Sequence, residues 1–554
     1  MRPEALAAGL WPSAAIVAAG SSIQGALLPT RLGKPRSAGI LTGRAGKPYR
    51  CLMLLLLTTL CARLLFAVTL GLGVDESYMV ASSRALHPGY FDHPPVAWWI
   101  VWAATHLAGS ESELVVRLPF VLLFTLSTWL MFRLAADLYD TMTGLWSAVL
   151  LNAVPVLGIT AGSWVLPDGP LIAALLGAGL CLVRALPANG RGAWGWWLGA
   201  GACFGLALCS KYTAILTAGG AGLFLLTTPG GRRWLRRPLP YAAALVALAL
   251  FSPVIAWNAR HGWVSLLFQG SRAHGARWHP FGPLSTLGGE ALFFMPWIFG
   301  ALLYCLWRAA RTGPRDGRGW LLLCLSVPSL LVFVLVSLRG HVLFHWAAPG
   351  LMMGLPLVGD LVVRHRMSSR PLRAALLATA ILLPLGAVLV GSEVRYNWMP
   401  DVIEDFALGN DPDLDAVDWA NLRDVAAVRR ISASAGLAGA ASPGVVIGAI
   451  RWHDAGKIDY VLGGRVPVIC LGSDPREYGL ADPASAHVGQ DVLIVAPRET
   501  LASIDARYGG SFDRIESLPP ATLLHHGKPA MMLPLFLAHR LHDGSAAAGG
   551  NAGR

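Results

Sequence analysis

The sequence has few charged residues for its length. Asp, Glu, Lys and Arg make up 14% of its 554 residues, whereas hydrophobic residues make up 55%. Soluble globular domains carry about 25% charged residues, so this composition excludes a soluble chain. The sequence therefore predicts an α-helical polytopic membrane protein.

The sequence also lacks a pattern of cysteines. Seven of the eight lie within apolar runs, where they behave as small hydrophobic residues, and Cys470 stands alone in the tail. This arrangement excludes a disulfide framework and a zinc-ligand spacing. The compact layout of a cleavable signal peptide is absent as well, and we expect a basic, disordered cytoplasmic leader over residues 1–50.

The net charge of +12 does not indicate nucleic-acid binding. Most of the surplus lies in short loops between apolar segments, where membrane topology and contact with anionic lipid account for it. We therefore expect membrane lipids, and no nucleic acid, among the partners.

Long apolar runs are abundant. An α-helix needs about 20 mostly apolar residues to cross a bilayer. We predict about eleven transmembrane helices in a domain that covers residues 51–392. The eleven segments are 51–72, 114–136, 146–166, 170–187, 194–210, 213–228, 239–257, 284–308, 320–338, 342–363 and 374–392.

Basic residues collect in loops that follow even-numbered segments. Arginines crowd residues 232–237, 308–318 and 364–373, and the leader is basic too. Because loops rich in Lys and Arg stay in the cytoplasm, the amino terminus is predicted inside, and each odd-numbered segment ends outside. Asp75 and Glu76, which follow segment one, then face the extracytoplasmic side of a bacterial inner membrane.

The chain changes character after residue 392. Residues 393–554 gain acidic residues, and short strands are predicted at 445–450, 466–472 and 491–497, between helical stretches. This pattern predicts an extracytoplasmic α/β domain without a glycine-rich phosphate loop. A lid or acceptor-recognition module and a stabilising appendage are equally compatible with it.

Charged residues also occur in the predicted outer loops. Asp75 and Glu76 follow segment one, Asp168 lies in the tight loop LPDGP, and Lys211 lies in the short loop CSKYT. A charge inside the hydrocarbon costs about 2.5 to 3.5 kcal/mol, so these groups belong to a water-filled hollow. The Trp-rich stretch 97–109 is typical of an interfacial helix.

Two further outer loops add cations and histidines. A single Lys or Arg at a helix end usually reaches towards lipid headgroups, and a single histidine is more often a packing residue. Acids from two loops together with cations from three can bind a phosphate and deprotonate a nucleophile. The residues added by these two loops are Arg260, Arg272, Arg277, Arg339, His341 and His345.

Five short motifs occur in order, namely DESY, GYFDHPP, PDGP, SKY and WNARHGW. Over residues 51–350 they resemble the bacterial glycosyltransferases related to protein O-mannosyltransferases and lipid A aminoarabinose transferase. The resemblance implies a multi-span GT-C fold, catalysis at the outer face, a polyprenyl-phosphate sugar donor and inversion at the anomeric carbon. It departs at His93, where the aminoarabinose enzymes carry Lys.

The resemblance also implies roles for individual residues. Asp75 becomes the catalytic carboxylate with Glu76 beside it, and Asp168 becomes the second essential acid. Lys211 and an arginine of the fourth outer loop bind the donor phosphate. For that arginine we prefer Arg272, with Arg277 as the alternative. The remaining candidates are Arg339 for the donor phosphate, and Tyr78, His93 and His345 for the acceptor or the sugar.

The predicted chemistry requires no cofactor. The departing phosphate is a usable leaving group when Lys211 and Arg272 stabilise its growing charge, and Asp75 takes the proton of the acceptor hydroxyl. A divalent metal held by outer-face histidines with Asp75 and Asp168 is the alternative, although no histidine pair has a recognisable ligand spacing.

Two other classes of function compete with a glycosyltransferase. A transporter would carry charges near the middle of its spans and often an internal repeat, whereas the charges here lie mainly at span ends and no repeat is evident. A non-catalytic scaffold for envelope assembly would need no meeting of acids and cations. The sugar, and the choice of a lipid, glycan or protein acceptor, stay open.

Overall fold

A computed structural model describes residues 46–272, 277–340, 342–396, 398, 419–425, 428–429, 445–525 and 528–543. The predicted leader, up to residue 45, and His341 lie outside this set.

Helices dominate residues 47–396. In chain order they are α1 Lys47–Thr69, α2 Val74–Ser82, α3 Val96–Ala108, α4 Glu113–Leu138, α5 Thr141–Ala153, α6 Asp168–Ala185, α7 Gly190–Ser210, α8 Ala214–Thr227, α9 Pro229–Trp234, α10 Leu239–Arg260, α11 Val264–Ser271, α12 Gly282–Phe293, α13 Pro296–Thr312, α14 Gly317–Val336, α15 Ala348–Met352, α16 Leu355–His365 and α17 Arg370–Tyr396.

Each of the eleven predicted apolar segments overlaps a helix. Seven described helices are long and apolar enough to cross a membrane, and α12 with α13 makes an eighth if this pair, bent by 115°, is one span. The remaining apolar segments form shorter or interrupted helices. The helical membrane fold is therefore confirmed, and the number of spans stays a prediction.

The third segment shows why some predicted spans are interrupted. Helix α5 ends at Ala153, and a π-helical turn follows at Leu157–Ala161. Pro155 lies at the break, and proline removes a backbone donor and disfavours helical geometry in the residue before it. The chain then reaches α6, whose first residue is Asp168.

Two charged residues depart from the expectation that charges lie at span ends. Arg63 lies well inside α1, and its guanidinium is 4.4 Å from the centre of the Phe124 ring. Glu290 lies within α12 and is fully buried. Charges inside apolar helices therefore occur here.

The C-terminal residues form the predicted α/β domain. Its strands are β1 Val446–Ala449, β2 Val468–Cys470, β3 Val492–Val495, β4 Phe512–His525 and β5 Lys528–Leu541, in the sheet order β2-β1-β3-β5-β4. The first three pair in parallel, and β5 pairs antiparallel with β3 and β4. Helices α18 Trp452–Leu462, α19 Tyr478–Ala481 and α20 Leu501–Tyr508 connect them.

The hairpin of β4 and β5 was not predicted. Prolines at positions 519, 520, 529 and 534 argue against strands, because proline cannot donate to the ladder. In the structure β4 is the edge strand, and its register shifts between Leu518 and Ala521, across the Pro-Pro pair. An edge position and a bulge are where a sheet tolerates proline.

The sheet domain packs directly on the helix that carries Asp75. One hydrophobic core joins Tyr78 of α2 and Trp98 of α3 to Ile447 of β1 and Ile458 of α18. Gly456 of α18 lies so close to α2 that an added Cβ would be 2.7 Å from the Tyr78 backbone. The domain is therefore a neighbour of the predicted reaction site.

Candidate active site

A buried ion pair holds the chain segment that presents Asp75. Glu76 and Arg117 of α4 are each 1% exposed and meet through two N–H···O contacts of 2.9 and 2.5 Å. Glu76 also accepts hydrogen bonds from the backbone of Gly73 and Val165, at 2.9 and 3.0 Å. These contacts tie α2, α4 and the segment before α6 together.

The contacts of Glu76 bear on its predicted role. Both of its carboxylate oxygens are occupied by Arg117 and backbone donors, and burial keeps it from solvent. This geometry favours a positioning role for Glu76. Its participation in catalysis stays a prediction without support from the contacts.

Asp75 occupies the first turn of α2 and is partly exposed. Burial raises the pKa of the Asp92 carboxyl, and the nearby Asp75 raises it further. Asp75 is also close enough to Arg272 to oppose the lowering of the Arg272 pKa by burial. Asp75 therefore lies close to Asp92 and Arg272, which come from two other segments of the chain.

Asp168 and Lys211 form the second ion pair of the site. The Lys211 Nζ lies 2.9 and 3.1 Å from the two Asp168 carboxylate oxygens, and both side chains are buried. Asp168 begins α6 and Lys211 caps the end of α7, and the two helices pack side by side. The charged residues of these two predicted outer loops therefore meet at one end of the bundle.

Arg272 caps the end of α11 and faces the same region. Its guanidinium lies 4.5 Å from the Trp346 ring centre and 5.5 Å from that of Phe268. Among the described residues, no carboxylate lies within ion-pair distance of it. Burial lowers the pKa of Arg272, but guanidinium stays protonated in proteins. Arg272 is thus a cation held by aromatic rings.

Hydrogen bonds place α11 beside the GYFDHPP loop. Gln269 donates to the backbone oxygen of Asp92 at 2.6 Å. Asn258, at the end of α10, donates to Tyr212 and accepts from the Leu266 backbone, which anchors the start of α11 next to Lys211. The WNARHGW motif therefore positions α11 next to the site.

The two predicted histidines are kept neutral. Burial lowers the pKa of His93 well below its usual value, and the nearby cations Lys211, Arg272 and Arg476 lower it further. Burial likewise lowers the pKa of His345 to about 4, with Lys211 next in effect. Both imidazoles therefore lie near these cations as uncharged groups.

The C-terminal domain inserts Arg476 and Glu477 into this region. Arg476 lies 3.2 Å from the Asp92 carboxylate, and its guanidinium is 3.5 Å from the Trp452 ring centre. Glu477 accepts a hydrogen bond from the Phe91 backbone at 2.8 Å, and its own backbone N–H donates to the Tyr78 hydroxyl at 3.2 Å. The sheet domain thus closes one side of the site.

Tyr78 was predicted to bind the acceptor or the sugar, but its position indicates another role. It is 1% exposed, and its hydroxyl contacts Asp92 and the Glu477 backbone. Burial raises its pKa well above the usual value. Its position favours joining the two domains over contact with a sugar, and the predicted sugar contact stays untested.

The three arginines that were predicted to bind the donor phosphate have different surroundings. Arg272 influences the pKa of Asp92, His93 and His345. Arg277 and Arg339 are exposed, and neither appears among the groups that shift those three. Arg339 instead lies 5.8 Å from the Trp278 ring centre. Arg272 is therefore the arginine placed near these three groups, and the choice of the arginine that binds the donor phosphate stays a prediction.

Four residues of the site were not singled out from the sequence. Asp92 lies inside a quoted motif, and its acidic side chain was a usable signal. Arg117 lies within an apolar segment, where a charge is unusual. Arg476 and Glu477 carry no local signal, because their role depends on how the tail folds back on α2. The four are Asp92, Arg117, Arg476 and Glu477.

No group of three or more His, Cys, Asp or Glu within the described ranges is arranged to hold a metal ion. His341, one of the histidines considered for a metal, is outside those ranges. The expectation that no cofactor is required stays a prediction.

Comparison with known proteins gives two matches in sequence. A family model described as dolichyl-phosphate-mannose-protein mannosyltransferase matches residues 92–257. Lipid A galacturonosyltransferase RgtD of Rhizobium johnstonii (strain DSM 114642 / LMG 32736 / 3841) is 26% identical over 288 residues, which are 51% of this chain and 58% of that protein. The match thus covers a little over half of the curated relative.

Solved structures of ArnT from Cupriavidus metallidurans share the fold. The apo state aligns with a TM-score of 0.60 and 14% identity, over 89% of this chain and 98% of ArnT. The structure bound to undecaprenyl phosphate aligns with a TM-score of 0.59 and 16% identity over the same shares. At such identities the likeness establishes the fold.

The helical bundle and its C-terminal sheet domain together have the GT-C fold of these ArnT structures. The resemblance of the five ordered motifs implied this fold, and the segment that matches the family model lies within the helical bundle.

Proposed function

We propose that this protein transfers a sugar, with inversion, from a polyprenyl-phosphate donor to an acceptor at the outer face of a bacterial inner membrane. Two findings support this donor. One ArnT structure of the same fold holds undecaprenyl phosphate, and the matching family model is named for a dolichyl-phosphate-linked sugar.

The observation that carries the proposal is the meeting of three cations with the predicted base. Lys211 is paired with Asp168, and Arg476 is paired with Asp92, whereas Arg272 makes no ion pair with a described residue. A phosphate placed near Arg272 would supply the missing negative charge. Asp75 lies close enough to Arg272 to influence the pKa of its guanidinium.

The chemistry follows from this geometry. The acceptor hydroxyl oxygen forms a bond to the anomeric carbon on the face opposite the phosphate, and its proton passes to Asp75. The bond between the anomeric carbon and the phosphate oxygen breaks, and polyprenyl phosphate leaves. A planar guanidinium offers two directed hydrogen bonds to phosphate and an ammonium offers a point charge, so Arg272 and Lys211 stabilise the leaving group in complementary ways.

The class of acceptor is inferred from the curated relative. The curated relative is named for transfer to lipid A, which favours a lipid acceptor over a glycan or a protein. Arg476 and the neutral His93 lie on the side of the site that the sheet domain closes. We place acceptor recognition on that side.

Binding of the donor lipid tests the proposal directly. Purified full-length protein is titrated with undecaprenyl phosphate, and binding is followed by native mass spectrometry. Arg272→Ala is expected to weaken binding about tenfold or more, because charge-assisted contacts to phosphate contribute about 1.5–3 kcal/mol. Arg277→Ala, which removes an exposed arginine of the same loop, is the matched control. Equal effects of the two substitutions would contradict the proposed phosphate site.

A further inference from the structure

A second charged cavity lies at the opposite end of the helical bundle. It has a volume of about 760 Å³ and is lined by Tyr139, Leu186 and Asn189, which adjoin the far ends of α4, α6 and α7. Helix α6 separates it from Asp168 by 18 residues, or about 27 Å at 1.5 Å per residue. The cavity is therefore distinct from the site that holds Asp75.

Six arginines line this cavity, from three loops that are far apart in the chain. They are Arg233, Arg237, Arg308, Arg315, Arg318 and Arg364.

Most of this positive charge is uncompensated. Arg364 pairs with Asp360 at 2.8 Å. The other lining carboxylate, Asp316, accepts a hydrogen bond from the Arg318 backbone N–H at the start of α14. Within the described part of the chain, the five remaining arginines make no ion pair. A site of this size, with unpaired guanidinium groups, fits a ligand that carries more than one negative charge.

The preference of basic loops for the cytoplasm explains why arginines occur at this end of the bundle. It does not explain why six of them line the same cavity. The same loops carry Arg232, Arg236 and Arg311, none of which lines the cavity. The lining also includes apolar side chains, among them Phe224, Leu357 and Leu361. A cavity lined by both guanidinium groups and apolar side chains matches the boundary between a phosphate headgroup and its acyl chains.

We infer that this cavity binds a phosphate-bearing anion, and that the apolar walls make the headgroup of an anionic membrane lipid its ligand. Basic pockets between transmembrane helices on the cytoplasmic side bind such headgroups in other proteins. The ligand bridges the loop after α8, the α13–α14 loop and the end of α16. Its occupancy stabilises the bundle at the end remote from sugar transfer, and the inference does not depend on the proposed reaction.

The structure supplies a matched pair of variants for the test. Arg233→Gln with Arg237→Gln removes two lining arginines, and Arg232→Gln with Arg236→Gln removes two arginines of the same segment that lie outside the cavity. Both doubles lose the same charge, so membrane topology and general attraction to anionic lipid change equally. A second pair, Arg315→Gln against Arg311→Gln, repeats the comparison in another loop.

The full-length protein in neutral detergent is titrated with cardiolipin, and bound lipid and thermal unfolding are measured for each variant. The lining double is expected to lose about tenfold or more in cardiolipin binding, since each basic residue near such a headgroup contributes about 1 kcal/mol, and the control double is expected to stay near wild type. Equal losses in both doubles would overturn the site. Inorganic diphosphate that displaces cardiolipin at comparable concentration would overturn the assignment to a lipid. If a lining double fails to fold, the Arg315 and Arg311 pair decides by the same readouts.

Discussion

Two acidic residues that are adjacent in the sequence have different environments. Asp75 is partly exposed and shares its surroundings with Asp92 and Arg272, whereas Glu76 is buried against Arg117. The resemblance implied catalysis by Asp75 with Glu76 beside it, but the sequence did not indicate that Glu76 is buried against Arg117. Which of two neighbours on a helix points inward depends on the packing of α4, and spacing alone does not reveal it.

Glu76→Gln should lower the free energy of unfolding by about 3–5 kcal/mol, because it leaves the Arg117 guanidinium buried without its carboxylate. Chemical unfolding of the purified protein in detergent measures this. Asp505→Asn, which changes an exposed carboxylate of α20, is the control and should have little effect. Wild-type stability in the Glu76 variant would show that the ion pair does not hold the α2 segment.

The pair of Lys211 and Asp168 allows stability and ligand binding to be separated. Lys211→Met should destabilise the protein, because it leaves Asp168 buried and unpaired. The double variant with Asp168→Asn should recover most of that stability and still bind undecaprenyl phosphate weakly. Recovery of both properties would show that the pair is only structural.

At the scale of elements, apolar periodicity predicted the membrane helices well and the sheet domain in part. The three parallel strands were found because each is a short, fully buried apolar run. The β4 and β5 hairpin was missed, because its prolines are tolerated only at an edge strand and a bulge, and these depend on sheet order. The contact of the loop before α19 with α2 was equally invisible, since nothing in DPREYG indicates its partner.

That contact gives the domain junction a pH dependence. Burial raises the pKa of Glu477 to about 8, far above its ordinary value of 4.5. The folded state therefore binds the proton more tightly than the unfolded state, and this contribution to stability is complete below about pH 4.5 and is lost as the pH rises through about 8. The loss approaches about 1.4 kcal/mol per pH unit between those values.

Thermal unfolding between pH 5 and 9 tests this dependence at Glu477. The Glu477→Gln variant cannot ionise there and should lose less stability than wild type as the pH rises. Asp505→Asn, which changes an exposed carboxylate of α20 in the same domain, serves as the control. Parallel curves for wild type and the Glu477 variant would mean that this carboxyl does not titrate at the junction.

At the scale of the whole molecule, the bundle has two differently charged ends. Asp75, Asp168, Lys211 and Arg272 gather at one end, and the arginines of the cavity gather at the other. The alternation of acidic and basic loops predicted this separation, because successive spans must return the chain to opposite ends. The side of the membrane on which each end lies stays a prediction, as do the domain boundaries at residues 50 and 392.

The central claim is that Asp75 takes the proton from the acceptor while Arg272 and Lys211 hold the leaving phosphate. The most direct measurement is the rate at which purified Asp75→Asn protein transfers sugar from a polyprenyl-phosphate donor, with Asp505→Asn as control and unfolding curves to confirm folding. We predict a loss of about 10²-fold to 10⁴-fold for Asp75→Asn, the usual contribution of a general base. A folded Asp75→Asn protein with turnover near wild type would contradict the account.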